Sequence, residues 1–307
     1  MIKAGQEAAR GSAIVAALLV VALVAVIGGR VLMVQGMSIS QSLARDDYDI
    51  ARETASGGLH WARAILYDDG RRSSIDHLGE AWAQPMPPTV VGEAMLSGHI
   101  EDAQGRFNLN SLAVNGKMDP AALSVFARLL SNLGLPSGLA QAAADWIDED
   151  DELISQGSAE SDYYMALQPG YRPSNLPFGS VEELLRVRGF SPSILEKLRP
   201  FVIALPTPAP ANVNTASPEL LSALVPGLPL GNAGGIVAER ERSPFTSTAE
   251  FLQRVPGGGG NIAPLGVQSE FFLVTGSVRQ SNTYYQVTAL LQRQQARWPR
   301  IIWQMPQ

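Results

Sequence analysis

The chain contains no cysteine, which excludes disulfides, thiolate metal sites and cysteine nucleophiles together and leaves the redox compartment undecided. Histidine is scarce as well. The three present, His60, His77 and His99, lie apart, with no spacing that builds a metal site or a triad, and they read as surface or packing residues. Positive charge is in deficit: 23 Lys and Arg stand against 29 Asp and Glu, for a formal net charge of −6. That balance argues against general affinity for nucleic acid, because phosphate binding draws on clustered basic residues that release counterions. A membrane surface or divalent cations suit it better. A phosphate-binding glycine loop is lacking too, and the run from Gly257 to Gly260 reads as a flexible connector. What remains is a 307-residue chain that is 46% hydrophobic, long enough for two modest domains plus an anchor and able to bury a core.

The strongest single feature is near the amino terminus. No charge interrupts the stretch between Arg10 and Arg30, which as a helix measures roughly 28 Å, about one hydrocarbon thickness. Lys3 and Arg10 precede it, so the short amino terminus should stay cytoplasmic while the remainder crosses. A cleaved secretory signal would need a small-residue site after the apolar run, and Val34-Gln35-Gly36 is a poor one. Beyond the membrane, Ala55, Leu59, Ala62 and Leu66 recur at spacings of four, three and four, which places them on one helical face. One continuous rod from Ser12 to about Leu66 would reach roughly 80 Å; an anchor followed by a separate stalk helix is the simpler alternative.

After the prolines at 85–88, residues 94–103 read as a strand ending at the turn Gln104-Gly105. Asp119-Pro120 then opens a helix closed by Gly134 and Pro136, and a second helix covers residues 140–147. The last forty residues read as strands over 270–279, 283–293 and 300–304, with a tight turn at Ser281-Asn282. Their near-alternation of apolar residues suits an antiparallel sheet with one face on a helix. An early strand, a helical middle and late strands imply a helical domain inserted into a small α/β unit, the two sheet portions meeting across it. Within the insertion a loose repeat is visible. Helices are expected to start at Ser180, as an N-cap before an acidic first turn, at Pro192, around Ser217-Pro218, over 233–240 and over 247–251. Paired short helices around glycine turns fit a helix-hairpin-helix or SAM-like arrangement.

Asp145, Asp148, Glu149, Asp150, Asp151 and Glu152, with Glu160 and Asp162 close behind, form an acidic stretch that repels itself unless solvent or a cation intervenes. Hard oxygen ligands without His or Cys point to Ca²⁺ rather than zinc. The spacing is not that of an EF-hand, so a solvated loop and a metal site both remain open on the residues alone. Paired carboxylates could also serve a calcium-dependent hydrolase as acid and base, but no other feature supports that reading.

Two resemblances bear on function. Asn212-Val213-Asn214-Thr215-Ala216, followed by Glu239 to Phe245, resembles the repeat of DNA-binding competence proteins, which gives the alternative of a membrane-anchored helix-hairpin-helix DNA receptor. From 206 to 255, however, three basic residues face four acidic ones, so the repeat survives while the phosphate-binding chemistry is missing. The second resemblance covers far more of the chain. Arg10-Gly11-Ser12-Ala13 resembles the processing site of type IV prepilin-like proteins, where a dedicated peptidase cuts after the Gly. Then follow in order Trp82-Ala83-Gln84-Pro85, the segment from Asp102 to Asn110, Asp145-Trp146-Ile147-Asp148, Asp162-Tyr163-Tyr164, Val187-Arg188-Gly189-Phe190, Leu198-Arg199-Pro200-Phe201 and the Asn212 segment. This ordered set resembles the K-type minor pseudopilins of type II secretion, also called general secretion pathway protein K. Most pilins carry Glu as the fifth mature residue; here it is Ala16, and the K type is the one that lacks the Glu.

The resemblance implies an α+β, type IV pilin-like fold, a long amino-terminal helix packed on a small antiparallel sheet, with a large inserted all-α domain of SAM-like or helix-hairpin-helix-like repeats. The implied organisation is a prepilin leader over 1–11, a transmembrane part over 12–34, spine and first sheet portion over 35–110, the insertion over 111–262 and completing strands over 263–307. Processing between Gly11 and Ser12 by the prepilin peptidase, with methylation, is implied, as is a non-enzymatic role. The implied place is single-pass in the bacterial inner membrane with a periplasmic C-terminal domain, and the pseudopilus tip after assembly. Implied partners are the I-type and J-type minor pseudopilins, the major pseudopilin, secreted cargo and the secretin, with no nucleic acid. Calcium is the cofactor the resemblance implies for the acidic stretch; Asp148, Asp150, Glu160 and Asp162 are the ligands expected from the residues themselves, the family's own ligand set not being carried over.

Overall fold

The computed structural model describes residues 3–154, 157–255, 263–294 and 297–306, and within the first helix it describes no side chain at 3–14, 36 and 38–40. The expected connector at Gly257 to Gly260 lies outside the described residues. Helix α1 runs unbroken over Lys3–Arg72, so the rod is one helix, continuing past the expected end at Leu66. The predicted stripe is its buried face: Ala51, Ala55, Leu59, Ala62 and Leu66 are all 3% exposed or less. Small residues alternating with leucine let the helix lie close on a sheet while still filling the interface.

That sheet has five antiparallel strands in the order β1-β2-β9-β10-β11: β1 Met86–Val91, β2 Ala94–Asp102, β9 Phe271–Gln280, β10 Thr283–Gln292 and β11 Arg300–Pro306. As expected, the early and late strands meet, β2 pairing along β9 from Met95↔Arg279 to Asp102↔Phe272. Strand β1 was not expected, because Pro87 and Pro88 read as punctuation. An edge strand needs hydrogen-bonding groups on one side only, which is where proline is tolerated. Phe272, Val274, Val278, Tyr285, Val287 and Leu291 pack against the α1 stripe, with Trp82 closing the end of that core.

Between β2 and β9 the chain builds a second, helical body around its own core. It holds α2 Pro120–Asn132, α3 Leu139–Asp145, α4 Ser161–Met165, α5 Pro192–Leu198, α6 Pro218–Leu224, α7 Leu230–Arg240 and α8 Thr248–Arg254. Its small strands are β3 Phe107–Asn108 with β6 Val202–Ile203, β4 Ala113–Val114 with β5 Lys117–Met118, and β7 Ala211–Asn212 with β8 Leu265–Gly266. The caps follow the sequence: Asp119 accepts from Ala121 and Ala122 N–H, and Ser191, Ser217 and Ser247 cap α5, α6 and α8. The expected helix at Ser180 is instead a 3₁₀ segment, Val181–Arg186, and the Ser180 side chain caps nothing. The Glu183 carboxylate is drawn away by Gly179 N–H and Trp146 Nε1, which favours the tighter turn.

The two bodies are joined through buried polar groups. Asp102, at the end of β2, accepts from Gln104 N–H (2.8 Å), Thr215 Oγ1 (2.6 Å), Ser269 Oγ (2.7 Å) and Asn212 Nδ2 (2.9 Å). Asn212 also donates to the Asp76 carbonyl (3.0 Å). Beside it Arg293 pairs with Asp69 of α1 and with Asp76, and Gln104 bridges Glu270 N–H and the Pro210 carbonyl.

The joint also fixes direction. The β9–β10 turn reaches Asp47 of α1 through Gln280 and Ser281, whereas Arg293, past the far end of β10, reaches Asp69. Asp47 and Asp69 are about 33 Å apart along the helix. The helical body therefore leaves the sheet at the end of α1 remote from its apolar segment. Asp102→Ala removes an acceptor shared by four donors, three of them buried, and we expect it to lower folding stability by about 3 kcal/mol; a chemical-denaturation difference under about 1 kcal/mol would show that the joint is not tight.

Candidate functional site

The acidic stretch takes its shape from the end of α3. Asp145 is the last residue of that helix, and Trp146, Ile147 and Asp148 continue the turn, with Asp148 N–H donating to the Ala144 carbonyl at 3.1 Å. Asp145 and Asp148 thus fall three residues apart on one side. Glu149 N–H is held by the Gly116 carbonyl at 2.8 Å, in an approach so close that a Cβ on Gly116, whose φ is +75°, would lie 2.1 Å from the Glu149 side chain. On the return, Asp151 receives Ser161 N–H at 3.2 Å, and Glu160 precedes α4, its carbonyl receiving Tyr163 and Tyr164 N–H. An aromatic wall backs both arms: Trp146 meets Tyr164 edge-on at 5.1 Å, and Tyr164 packs on Tyr171 at 5.4 Å. Arg188 lies over the Tyr163 ring at 4.7 Å and donates to the Ser158 carbonyl.

This framework brings Asp145, Asp148 and Glu160 into the interior, at 0%, 2% and 4% exposure. Among the described residues, Asp148 Oδ1 and both oxygens of Glu160 are in no hydrogen bond of ordinary geometry. Asp145 lies beside Ser158 and the Ile154 and Ala159 N–H groups, which lower its pKa, yet neither of its oxygens is in a hydrogen bond of ordinary geometry. Burial, then mutual repulsion, drives all three carboxyls up. Asp145 rises to about 6, mostly by desolvation. Asp148 reaches about 7 by desolvation and by the charges of Asp145 and Asp150, and Glu160 about 8 by desolvation and by Asp145 and Asp148. Buried carboxylates without donors or counter-charges are costly. Such a group can hold protons or a hard cation, and an all-oxygen set without His or Cys fits Ca²⁺; one ion shared by all three would require their oxygens to draw closer than they stand.

Of the residues picked from sequence, Asp148 and Glu160 are therefore central. Asp150 is exposed, its Oδ1 accepting Glu152 N–H, but its charge acts on both. Asp162 is exposed on the first turn of α4 and is not among the leading charges on Glu160, which are Asp145, Asp148, Asp151 and Asp150. Asp145 was passed over as a ligand. Its signal was the three-residue spacing from Asp148 around the apolar pair Trp146-Ile147, which turns both carboxylates inward with the core.

The other functional element is α1 itself. Val15–Gln35, 21 residues with mean hydropathy 2.6, is long and apolar enough to cross a membrane, and Leu18, Leu19 and Leu32 are at least 63% exposed. Gly11 and Ser12 lie within α1, but their side chains are outside the described residues. The region read against competence proteins offers little to phosphate: Arg240 is buried and donates to the Val213 carbonyl, and Arg254 is paired with Glu239 and Glu250.

Comparison with known proteins decides the family. Residues 105–207 and 211–272 match two family models, each described as type II secretion system (T2SS), protein K. Type II secretion system protein K of Pseudomonas aeruginosa is 36% identical over 92% of this chain and 88% of its own. The chain belongs to the type II secretion system protein K family. The Klebsiella pneumoniae protein K is 34% identical over 93% of both chains. Among solved structures, the crystal structure of the GspK-GspI-GspJ complex from the enterotoxigenic Escherichia coli type 2 secretion system matches with a TM-score of 0.77, over 87% of this chain and 99% of the matched one, at 21% identity, a likeness of fold. The protein is a minor pseudopilin of type II secretion, associated with the membrane and the pseudopilus, and the DNA-receptor reading is not favoured.

In this chain the raised carboxyls set a pH dependence. Ordinary carboxyls titrate near 4, so between about pH 4 and 8 the metal-free folded state holds more protons than the unfolded one. Stability is then complete at the acid end and falls as pH rises through the folded values of about 6, 7 and 8. Thermal melts in chelator should give a lower Tm at pH 8.5 than at pH 5.5, with Ca²⁺ recovering most at pH 8.5. A chelated Tm that is flat or rises over that range would contradict the site.

Proposed function

We propose that this chain caps the pseudopilus tip together with the I-type and J-type minor pseudopilins, above a shaft of major pseudopilin, and that it starts fibre assembly and supports export across the outer membrane. The observation that carries this is the exit of the helical body at the end of α1 remote from the apolar segment, between Asp102 and Phe271. A body of this size carried at the outer end of the pilin-like unit leaves another pilin subunit no room to stack above it. The GspK-GspI-GspJ complex of the similar fold supports the choice of partners. Secreted cargo and the secretin are what such a tip would meet.

In this reading the prepilin peptidase cuts after Gly11, residues 12–34 cross the inner membrane, and the rest is periplasmic, with residues 35–102 and 271–307 forming the pilin-like unit and 103–270 the insertion, wider than the expected 111–262 because Phe107 and Leu109 pack in the helical core and β8 pairs β7. The short helices α5 to α8 around their glycine turns act as SAM-like, helix-hairpin-helix-like packing units. No reaction is assigned. Asp145, Asp148 and Glu160, with Asp150 at the rim, would hold Ca²⁺ and so tie the end of α3 to the start of α4; Asp162 is left out because it is exposed. Ala16 completes the account. A subunit with no neighbour above has no amino terminus to pair with a carboxylate at that position, and an unpaired one is costly in lipid.

Gold labelling of the full chain in assembled fibres should place it at one end only, and pull-downs should recover the I-type and J-type subunits. Label spaced along the shaft would overturn the tip assignment. Ala16→Glu should lower membrane insertion or secretion; an unchanged output would mean that the missing carboxylate is merely tolerated.

A further inference from the structure

A second group of carboxylates lies far from the acidic loop, where α1 ends. Asp69 sits in the last turns of α1, Asp76 in the loop that follows, and Glu80 at the start of the 3₁₀ turn Ala81–Ala83. One carboxylate oxygen from each comes within 4.8 Å of the other two. Their hydrogen bonds leave ligand capacity over. Glu80 Oε2 accepts His77 N–H (3.0 Å) and Trp82 Nε1 (2.8 Å), Asp69 Oδ2 accepts Arg293 Nη1 (2.7 Å), and Asp76 Oδ2 accepts Ser269 N–H (2.6 Å) and Arg293 Nη2. Asp76 is 1% exposed, and its Oδ1 is buried with no donor at all.

The charge does not close either. Three carboxylates face the single guanidinium of Arg293, which leaves two negative charges in a largely desolvated pocket. The carboxyls respond: Asp69 is pushed up to about 6 by burial and by Glu80 and Asp76, and Asp76 is raised by burial despite Arg293. Calcium binds carboxylate oxygens at about 2.3–2.6 Å, so two oxygens sharing one ion stand at most about 5 Å apart. The trio meets that spacing. Neither His nor Cys contributes, and an irregular set with an arginine at its flank suits the adaptable shell of Ca²⁺ better than the strict octahedron of Mg²⁺.

We propose that Asp69, Asp76 and Glu80 form a divalent-cation site, selective for Ca²⁺, at the junction of α1, the sheet and the helical body. The ion is separate from any held by the acidic loop. It joins the end of the spine to the loop at 73–80, and through the Asp76 carbonyl, which receives Asn212 Nδ2 at 3.0 Å, it stiffens the seat of the helical body.

The test uses Tb³⁺ as a luminescent stand-in for Ca²⁺, with Trp82, whose indole N–H is 2.8 Å from Glu80, as antenna. The full chain in detergent carries Asp148→Asn and Glu160→Gln to disable the acidic loop. In that background we expect tryptophan-sensitised Tb³⁺ emission that Ca²⁺ displaces. Adding Glu80→Gln, which keeps an acceptor for His77 and Trp82 and so preserves the turn, should weaken the apparent affinity by about tenfold or more, with the melting transition retained. Absence of Ca²⁺-displaceable emission in the double variant, or an affinity that Glu80→Gln leaves unchanged, would overturn the site.

Discussion

Asp102 is the hinge on which the architecture turns. It is a buried carboxylate, and among the described residues no cation pairs with it. Desolvation raises its pKa, and hydrogen bonds from Thr215, Ser269 and Gln104 pull the other way. Those donors come from three separate stretches of chain, so the carboxylate is comfortable only when the end of β2, the start of β9 and the Asn212 segment are assembled together. A half-made joint would strand the charge. Together with the apolar cluster of Ile203, Leu205, Phe271 and Leu290, this gives the long helix and the helical body one defined relation.

The chain handles its excess of carboxylates in three ways. Asp102 is held by hydrogen-bond donors, Asp69 and Asp76 are offset in part by Arg293 and Ser269, and among the described residues no salt bridge reaches Asp145, Asp148 or Glu160, whose oxygens are largely left without donors. If the loop binds calcium as proposed, the protein would draw on its surroundings to complete that part of the fold. The loop group lies between α3 and α4 and the partly offset group where α1 gives way to the sheet.

Much of the fold was legible because it rests on period and punctuation. The four-three-four stripe on α1 and the alternation in β9 and β10 are direct consequences of burial on one face, and the Asp119, Ser191 and Ser217 caps mark helix starts by local chemistry. What escaped depends on tertiary context. Proline at β1 was misread because an edge and a break look alike without knowing which strand lies alongside. Within the 3₁₀ segment at Val181–Arg186, Glu183 accepts from Trp146, a partner far off in sequence. The Asp102 and Asn212 segments were both visible as motifs, but a pairing 110 residues apart leaves no local trace. At the acidic loop, composition gave the charge and hid the geometry: Asp145 is central and Asp162 peripheral because one ends a buried helix and the other opens an exposed one.

The central claim is that a buried polar joint holds the helical body rigidly on the spine. Because the chain has no cysteine, spin labels can be placed alone at Trp61→Cys on α1 and Leu185→Cys on the helical body, both exposed positions. The account predicts one narrow distance distribution that broadens when Asn212→Ala removes a limb of the joint. A distribution already broad in the intact chain, or one that Asn212→Ala leaves narrow and unmoved, would contradict it.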